Sequence, residues 1–271
     1  MKVSVVSEFE KEIESASVPG ESGAHAEKIK IIAFYRFIDL VDLPQHKAYF
    51  KDLCLKLGLY GTILLSKEGV NSTLCGRVSS IERFQAILAR HPIFHGLEYK
   101  ESACDQIVYR RMLVKIKKEI IPIGDETVQP ARFTAPRVSP GELKQWLDEG
   151  RPVTLVDTRN RYEMEYGTFE NALDLGLDHF REIPERLAAV SDEVKKGPVV
   201  MFCTGGIRCE KATVVAHQKG FQDVYQLEGG ILKYFEECGG SHYLGDCFVF
   251  DYRVAVDSNL EPIEDNHLSQ L

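Results

Sequence analysis

Several features common in secreted, membrane-spanning and disulfide-built proteins are missing from this chain. No run among its 271 residues approaches the roughly 18 uninterrupted apolar positions that a spanning helix needs, which argues against a helical membrane protein. Residues 1–28, MKVSVVSEFEKEIESASVPGESGAHAEK, hold one short apolar patch among acidic and small polar residues. That is too little for the hydrophobic region of a signal peptide, and a disordered acidic tail is expected there. The seven cysteines are odd in number and have no framework spacing, so a reducing cytoplasm suits them better than a disulfide scaffold. No fixed-period repeat, low-complexity tract or flavin motif is evident. Cys238, His242 and Cys247 lie close together, but three ligands around glycines with no fourth partner are weak grounds for zinc, and no metal is expected.

What is present is an ordinary globular balance, 44% hydrophobic and 27% charged residues, over a length that suits two domains. The formal charge of −8 is unevenly spread. Residues 29–130 hold 15 Lys and Arg against 11 Asp and Glu, whereas residues 131–271 hold 15 against 24. Only the middle of the chain is positive, so an anionic partner is expected there.

Residues 29–121 alternate strand and helix patterns: IKIIAFYRFIDL as a strand, PQHKAYFKDLCLKLGL as a helix, and YGTILLSKEGVNSTLCG as two strands about a glycine turn. SSIERFQAILARHP follows as a helix capped by Ser79 or Ser80, with further extended segments over LEYKES and QIVYRRMLVKIKKEI. This order predicts a ferredoxin-like α/β domain. Residues 122–140 carry four prolines and little periodicity, and read as a linker. From 141 to 245 short apolar strands alternate with helices, with Ser139 and Pro140 opening the first helix. That pattern predicts a parallel sheet flanked by helices, with function beyond the carboxyl ends of its strands. Residues 246–271 form a C-terminal extension.

One such strand end carries the chemistry. In GPVVMFCTGGIRCEKA the apolar strand stops at Cys203, passes Thr204, Gly205, Gly206 and Ile207, and reaches Arg208 as a helix opens. Paired glycines let a tight loop aim successive N–H groups at one sulfur. The helix N-terminus and Arg208 add positive charge, and such settings favour the thiolate. A plain alternative is a packed strand-end cysteine beside a tight turn; Cys54, Cys75 and Cys104 are read that way. A tyrosine-phosphatase-like loop would need five residues between cysteine and arginine, and here there are four. Cys209, in the first helical turn, reads as packing rather than as a resolving thiol.

The loop CTGGIR, the upstream VDTR with Asp157 and Arg159, and the downstream VYQLEGGI resemble a rhodanese domain. FCTGGIRCEKA, GTFENALDL, YRRMLVKIKKEI, SKEGVN and CFVFDYRVAV together resemble the bacterial tRNA uridine hydroxylases over residues 29–258. The resemblance implies a small N-terminal α/β domain joined to a rhodanese domain, and oxidation of the wobble uridine of certain tRNAs to 5-hydroxyuridine by molecular oxygen. It also implies that Cys203 is the catalytic residue, of the kind that carries a persulfide in rhodaneses, that Arg208 and the amides of 204–207 stabilise its charge, and that Asp157 and Arg159 brace the loop. Where rhodanese domains commonly have a His-Ile or His-Phe pair, this chain has Thr168 and Phe169.

Addition of a thiolate at carbon 6 would make carbon 5 of uracil electron-rich, dividing one hard step into two. Sulfur transfer through a persulfide, fed by a persulfide donor or a reductant, is the competing activity, and a non-catalytic tRNA- or phosphate-binding module is a third. For tRNA, Arg110, Arg111, Lys115, Lys117 and Lys118 offer phosphate contacts, Tyr35 or Phe37 a stacking surface, and Lys67 and Asn71 a further contact. Lysines guarding an edge strand and ordinary turn chemistry explain the same residues otherwise. An anticodon loop already exposes its bases, so no duplex need melt.

Overall fold

The computed structural model describes residues 28–263; the expected acidic tail, apart from Lys28, and residues 264–271 of the expected C-terminal extension lie outside them. The chain divides into two compact units that part between Ile120 and Ile121.

The first unit runs β1 (Ile29–Phe37), α1 (Leu43–Lys56), β2 (Tyr60–Ser66), β3 (Gly69–Arg77), α2 (Val78–Arg90), β4 (Lys100–Cys104) and β5 (Met112–Ile116). Its sheet has the order β4-β1-β3-β2-β5. The first six elements are the expected ferredoxin-like set, and β5 adds an edge strand parallel to β2. Along β1 the two-residue period divides the side chains: Ile32 and Phe34 enter a core with Phe50, Leu53, Phe84 and Leu88 of the helices, while Ile29 and Ile31 turn to the other face against Cys75 and Val108. Helix α2 starts at Val78 with Arg77 as its N-cap residue, not with Ser79 or Ser80 outside it, because β3 runs into the helix without an intervening loop.

The second unit contains β6 (Arg137–Val138), α3 (Pro140–Asp148), β7 (Thr154–Asp157), α4 (Arg161–Met164), β8 (Gly167–Phe169), β9 (Leu173–Asp174), α5 (Ile183–Ala188) and α6 (Asp192–Lys196). It continues with β10 (Pro198–Phe202), α7 (Ile207–Gln218), β11 (Asp223–Leu227), α8 (Gly230–Cys238), β12 (Tyr243–Gly245), β13 (Cys247–Phe248) and β14 (Ala255–Val256). The main sheet is β6-β11-β10-β7-β9, with every neighbouring pair parallel. Residues on and just past central β10 alternate between its faces. Val199, Met201 and Cys203 pack with Ile183, Leu187, Ala212 and Val215 of α5 and α7. Val200 and Phe202 pack with Leu143, Ile231 and Phe235 of α3 and α8. Ser139 caps α3 as expected, its hydroxyl accepting from the Glu142 N–H at 3.3 Å.

The proline-rich segment expected to be a linker belongs to the second unit. Ile123, Val128 and Ala135 are buried in the core beside α7. Lys211 Nζ donates to the Ile121 carbonyl at 2.9 Å and Arg137 Nη2 to Glu210 Oε1 at 2.7 Å. The segment is a strap with turns closed by Val128 N–H on the Asp125 carbonyl and Arg132 N–H on the Gln129 carbonyl, and its few buried side chains have neither a helical nor a strand period. Under it α7 is enclosed, every residue from Arg208 to Ala216 being buried.

Candidate active site

Strand β10 delivers Cys203 to the carboxyl end of the sheet, and the next three residues turn the chain into α7. Gly206 makes that turn at φ +92°, a backbone region that side-chain-bearing residues rarely enter. The loop's orientation is set from the neighbouring strand end. The first N–H groups of a helix have no partner inside it, and in α8 two of them are used on the loop: Ile231 N–H donates to the Cys203 carbonyl at 3.0 Å and Leu232 N–H to the Thr204 carbonyl at 3.1 Å. With these carbonyls drawn outward, amides point inward, and Gly206 N–H donates to Cys203 Sγ at 3.1 Å. From β7, Thr158 donates to the Phe202 carbonyl through its N–H at 3.0 Å and its hydroxyl at 2.9 Å.

Burial alone would push the Cys203 thiol up. A hydrogen bond from the Cys209 thiol, the Arg208 charge, and the N–H groups of Arg208 and Gly206 outweigh it and hold the group well below the ordinary thiol range. Burial, followed by the neighbouring Cys203, pushes Cys209 the other way, well above the ordinary thiol range. Cys209 packs in the first turn of α7 as expected and also serves as a donor. Cys203 itself is 0% exposed, and within its loop only Gly205 and Ile207 are partly exposed.

Arg208 does not turn its guanidinium fork to the sulfur. It makes two hydrogen bonds to Glu163 of α4, Nη1 to Oε2 at 2.5 Å and Nη2 to Oε1 at 2.7 Å, and acts on Cys203 through space. Glu163 also accepts from the Asn160 N–H at 3.0 Å and from the Thr204 hydroxyl at 3.5 Å. Glu163 was not among the residues expected from the sequence, although Asn160-x-x-Glu163 has the spacing of a helix-opening capping pair. Neither was Gly230, where a Cβ would lie 2.4 Å from the Cys203 carbonyl oxygen and 2.8 Å from the Gly206 nitrogen. The glycine pair closing VYQLEGG was the available signal.

Asp157 and Arg159 form a fully buried ion pair at 2.7 Å. Arg159 Nη2 donates to the Gly167 carbonyl at 2.6 Å and the Thr168 hydroxyl to Asp157 Oδ2 at 2.8 Å, which ties the end of β7 to β8. Thr158, the residue between them, hydrogen-bonds the Phe202 carbonyl just before the cysteine loop and lies 3.6 Å from Cys209 Sγ just after it. Thr168 thus has a defined role where an imidazole was the common alternative.

In the first unit, Arg110, Arg111, Lys115, Lys117 and Lys118 are all exposed, but only Lys115 lies within β5. The register aligns Tyr35 with Asn71, Asn71 with Leu64, and Leu64 with Lys115. Tyr35, Asn71 and Lys115 therefore share one row on the sheet face opposite the helices, with Lys100 Nζ 5.0 Å from the Tyr35 ring centre. Asn71 donates its amide to the Ile120 carbonyl at 3.3 Å, and Lys67 is exposed in the β2–β3 turn.

A parallel sheet that ends in a cysteine loop of this kind, preceded by a βαββαβ unit, defines a two-domain rhodanese-type protein. The family described as "UPF0176 acylphosphatase like domain" matches residues 29–120 and the rhodanese-like domain family matches residues 139–237. A protein of Cupriavidus necator named tRNA uridine(34) hydroxylase is 48% identical over 85% of this chain and 84% of its own length. One of the same name from Burkholderia cenocepacia is 47% identical over 86% and 85%. The rhodanese-like domain of the Anabaena protein Alr3790 aligns with 41% of this chain at 20% identity and a TM-score of 0.35. The chain belongs to the tRNA uridine(34) hydroxylase family.

Proposed function

We propose that this protein hydroxylates carbon 5 of uridine 34 in tRNA, with Cys203 as the nucleophile and molecular oxygen as the oxidant. The observation that carries the reading is the setting of the Cys203 sulfur, at the carboxyl end of β10 with the Gly206 N–H donating to it at 3.1 Å, in a loop where the Cys209 thiol and the Arg208 charge favour the thiolate against the burial that opposes it. Addition of this thiolate to carbon 6 of uracil places negative charge on carbon 5 and its neighbouring carbonyl. Carbon 5 then takes one oxygen atom of O2. The other leaves as water with two electrons and two protons from a thiol reductant, and loss of the carbon-5 proton and of the thiolate restores the ring.

Hydroxylase activity calls for an oxidant co-substrate and a tRNA, as the relatives' name implies. Delivery of the base by an anticodon loop, and work in the cytoplasm, are parts of this proposal. Among the described residues no helix is long and apolar enough to cross a membrane. The test is nucleoside mass spectrometry on tRNA from cells lacking the protein, complemented with wild type or with Cys203→Ala. Wild type restores 5-hydroxyuridine and Cys203→Ala leaves it at background; restoration by Cys203→Ala refutes the proposal.

The complete burial of Cys203 favours a second reading, sulfur transfer, because a persulfide would carry the reactive atom about 2 Å further out. Loss of thiolated nucleosides instead of hydroxyuridine in the same experiment selects it.

The row of Tyr35, Asn71 and Lys115, with the basic residues around β5, supports the first unit as the RNA-holding part. Reversing charge at Arg111, Lys115 and Lys117 is expected to weaken tRNA binding at least ~10-fold and to lower the slope of log affinity against log salt by about 2, at ~0.7 per single-strand phosphate contact. Filter binding over a salt series measures both, and unchanged binding removes this surface from the RNA site.

A further inference from the structure

The second unit displays aromatic rings that its own core does not use. Strands β13 and β14 form an antiparallel hairpin whose tip carries Phe250 and Tyr252, 58% and 61% exposed. The tip is locked. Asp251 accepts from the Arg253 N–H at 3.0 Å, from Nε at 2.8 Å and from Nη2 at 2.6 Å; the Val254 N–H closes on the Asp251 carbonyl at 3.0 Å. Behind the tip, Phe248 lies 5.3 Å from Tyr162, 5.5 Å from Tyr166 and 5.1 Å from Phe250, ring centre to ring centre. Tyr162 is 42% exposed. The cluster touches the cysteine loop: the Arg208 guanidinium stands 5.9 Å from the centre of the Phe250 ring.

We propose that Phe250 and Tyr252, with Tyr162, are a stacking platform for an unstacked nucleobase beside the target uridine; the proposal rests on the tRNA reading above. Rigid, exposed π faces suit bases of any identity, and single-stranded RNA loops are recognised by stacking on aromatic side chains. The charges nearby permit it. The carboxylates of Asp251 and Glu163 are engaged by Arg253 and Arg208, so a phosphate passing the hairpin meets neither as a bare anion. Fixed by Glu163, Arg208 backs the Phe250 ring and links the platform to the loop that holds Cys203.

The test uses an anticodon stem-loop with 2-aminopurine immediately 3′ of the target uridine, bound to the full chain carrying Cys203→Ala so that turnover does not intervene. Binding is expected to quench the 2-aminopurine emission. Adding Phe250→Leu and Tyr252→Leu together abolishes the quench and weakens binding roughly 10-fold or more, whereas Phe250→Tyr with Tyr252→Phe preserves both. In the chain that retains Cys203, the leucine pair raises KM by a similar factor with little change in kcat. A melting temperature equal to that of wild type establishes that the leucine pair is folded. Unchanged quench and KM in the leucine pair, or a parent chain that binds the stem-loop without any quench, overturns the platform. A wild type that makes no hydroxyuridine defeats the catalytic reading instead, and the quench is read independently of it.

Discussion

Replacing Gly230 with alanine is expected to abolish hydroxylation and to lower stability by about 2–5 kcal/mol, combining left-handed backbone strain of ~1–2 kcal/mol with overpacking of ~1–3 kcal/mol. Gly230 has φ +70°, and its added Cβ would meet the Cys203 carbonyl oxygen at 2.4 Å, the Thr204 carbonyl oxygen at 2.7 Å and the Gly206 nitrogen at 2.8 Å. All three are backbone atoms of the cysteine loop, and both carbonyls already accept from α8, so relieving the clash moves the amides that hold the sulfur. Gly229 is the control. It shares φ +70°, but the nearest atoms its Cβ would meet are Lys233 Cβ and Cδ, both at 2.5 Å, within α8 itself, so alanine there adds backbone strain and a clash inside the helix and not one with the cysteine loop. Urea unfolding and nucleoside analysis of the two variants measure the contrast; an equal loss of hydroxylation in both would show that the close approach of Gly230 to the loop does not matter.

Glu163→Ala removes the partner of a buried guanidinium, and breaking such a pair costs about 3–5 kcal/mol, seen as a fall in melting temperature of roughly 10 °C for a unit of this size. Glu163→Gln, which keeps the shape and one acceptor, is expected to lose less. The two variants also report on the thiol. Arg208 favours the ionisation of Cys203 through space, so once the guanidinium is no longer fixed, the pH at which half of Cys203 is alkylated by iodoacetamide rises. The sign of the linkage follows: a thiol whose value in the folded state is depressed contributes stability above its unfolded value and loses it as pH falls through the folded value. The gap in stability between Glu163→Ala and wild type is therefore wider in mildly alkaline than in acidic buffer. An alkylation profile identical to that of wild type would show that Arg208 does not act on the sulfur.

The cysteine loop was legible because its signals are local: a strand, two glycines, an arginine and a helix in one short stretch of sequence fix where Cys203 stands and what surrounds it. The βαββαβ order and the parallel sheet were legible for the same reason, since each element carries its own period. Glu163 and Gly230 were not, because they act on the loop from 40 residues before Cys203 and 27 after it, and their local signals, a capping pair and a glycine pair, do not say which loop they meet. The strap was misread for a physical reason as well. Ile123, Val128 and Ala135 are buried singly between prolines, which gives no periodicity to detect, and the partners that bury them lie on α7. Burial of the sulfur itself is likewise a property of the folded surroundings.

The strap sets where this protein can be dissected. The rhodanese-like match begins at residue 139, yet a fragment started there would lose the Ile121 carbonyl that receives Lys211 and the Arg137 side chain that neutralises Glu210. It would also strip the apolar cover from the helix that follows Cys203. An excised rhodanese-like half therefore needs to begin at Ile121, upstream of all four prolines, for Cys203 to keep its setting.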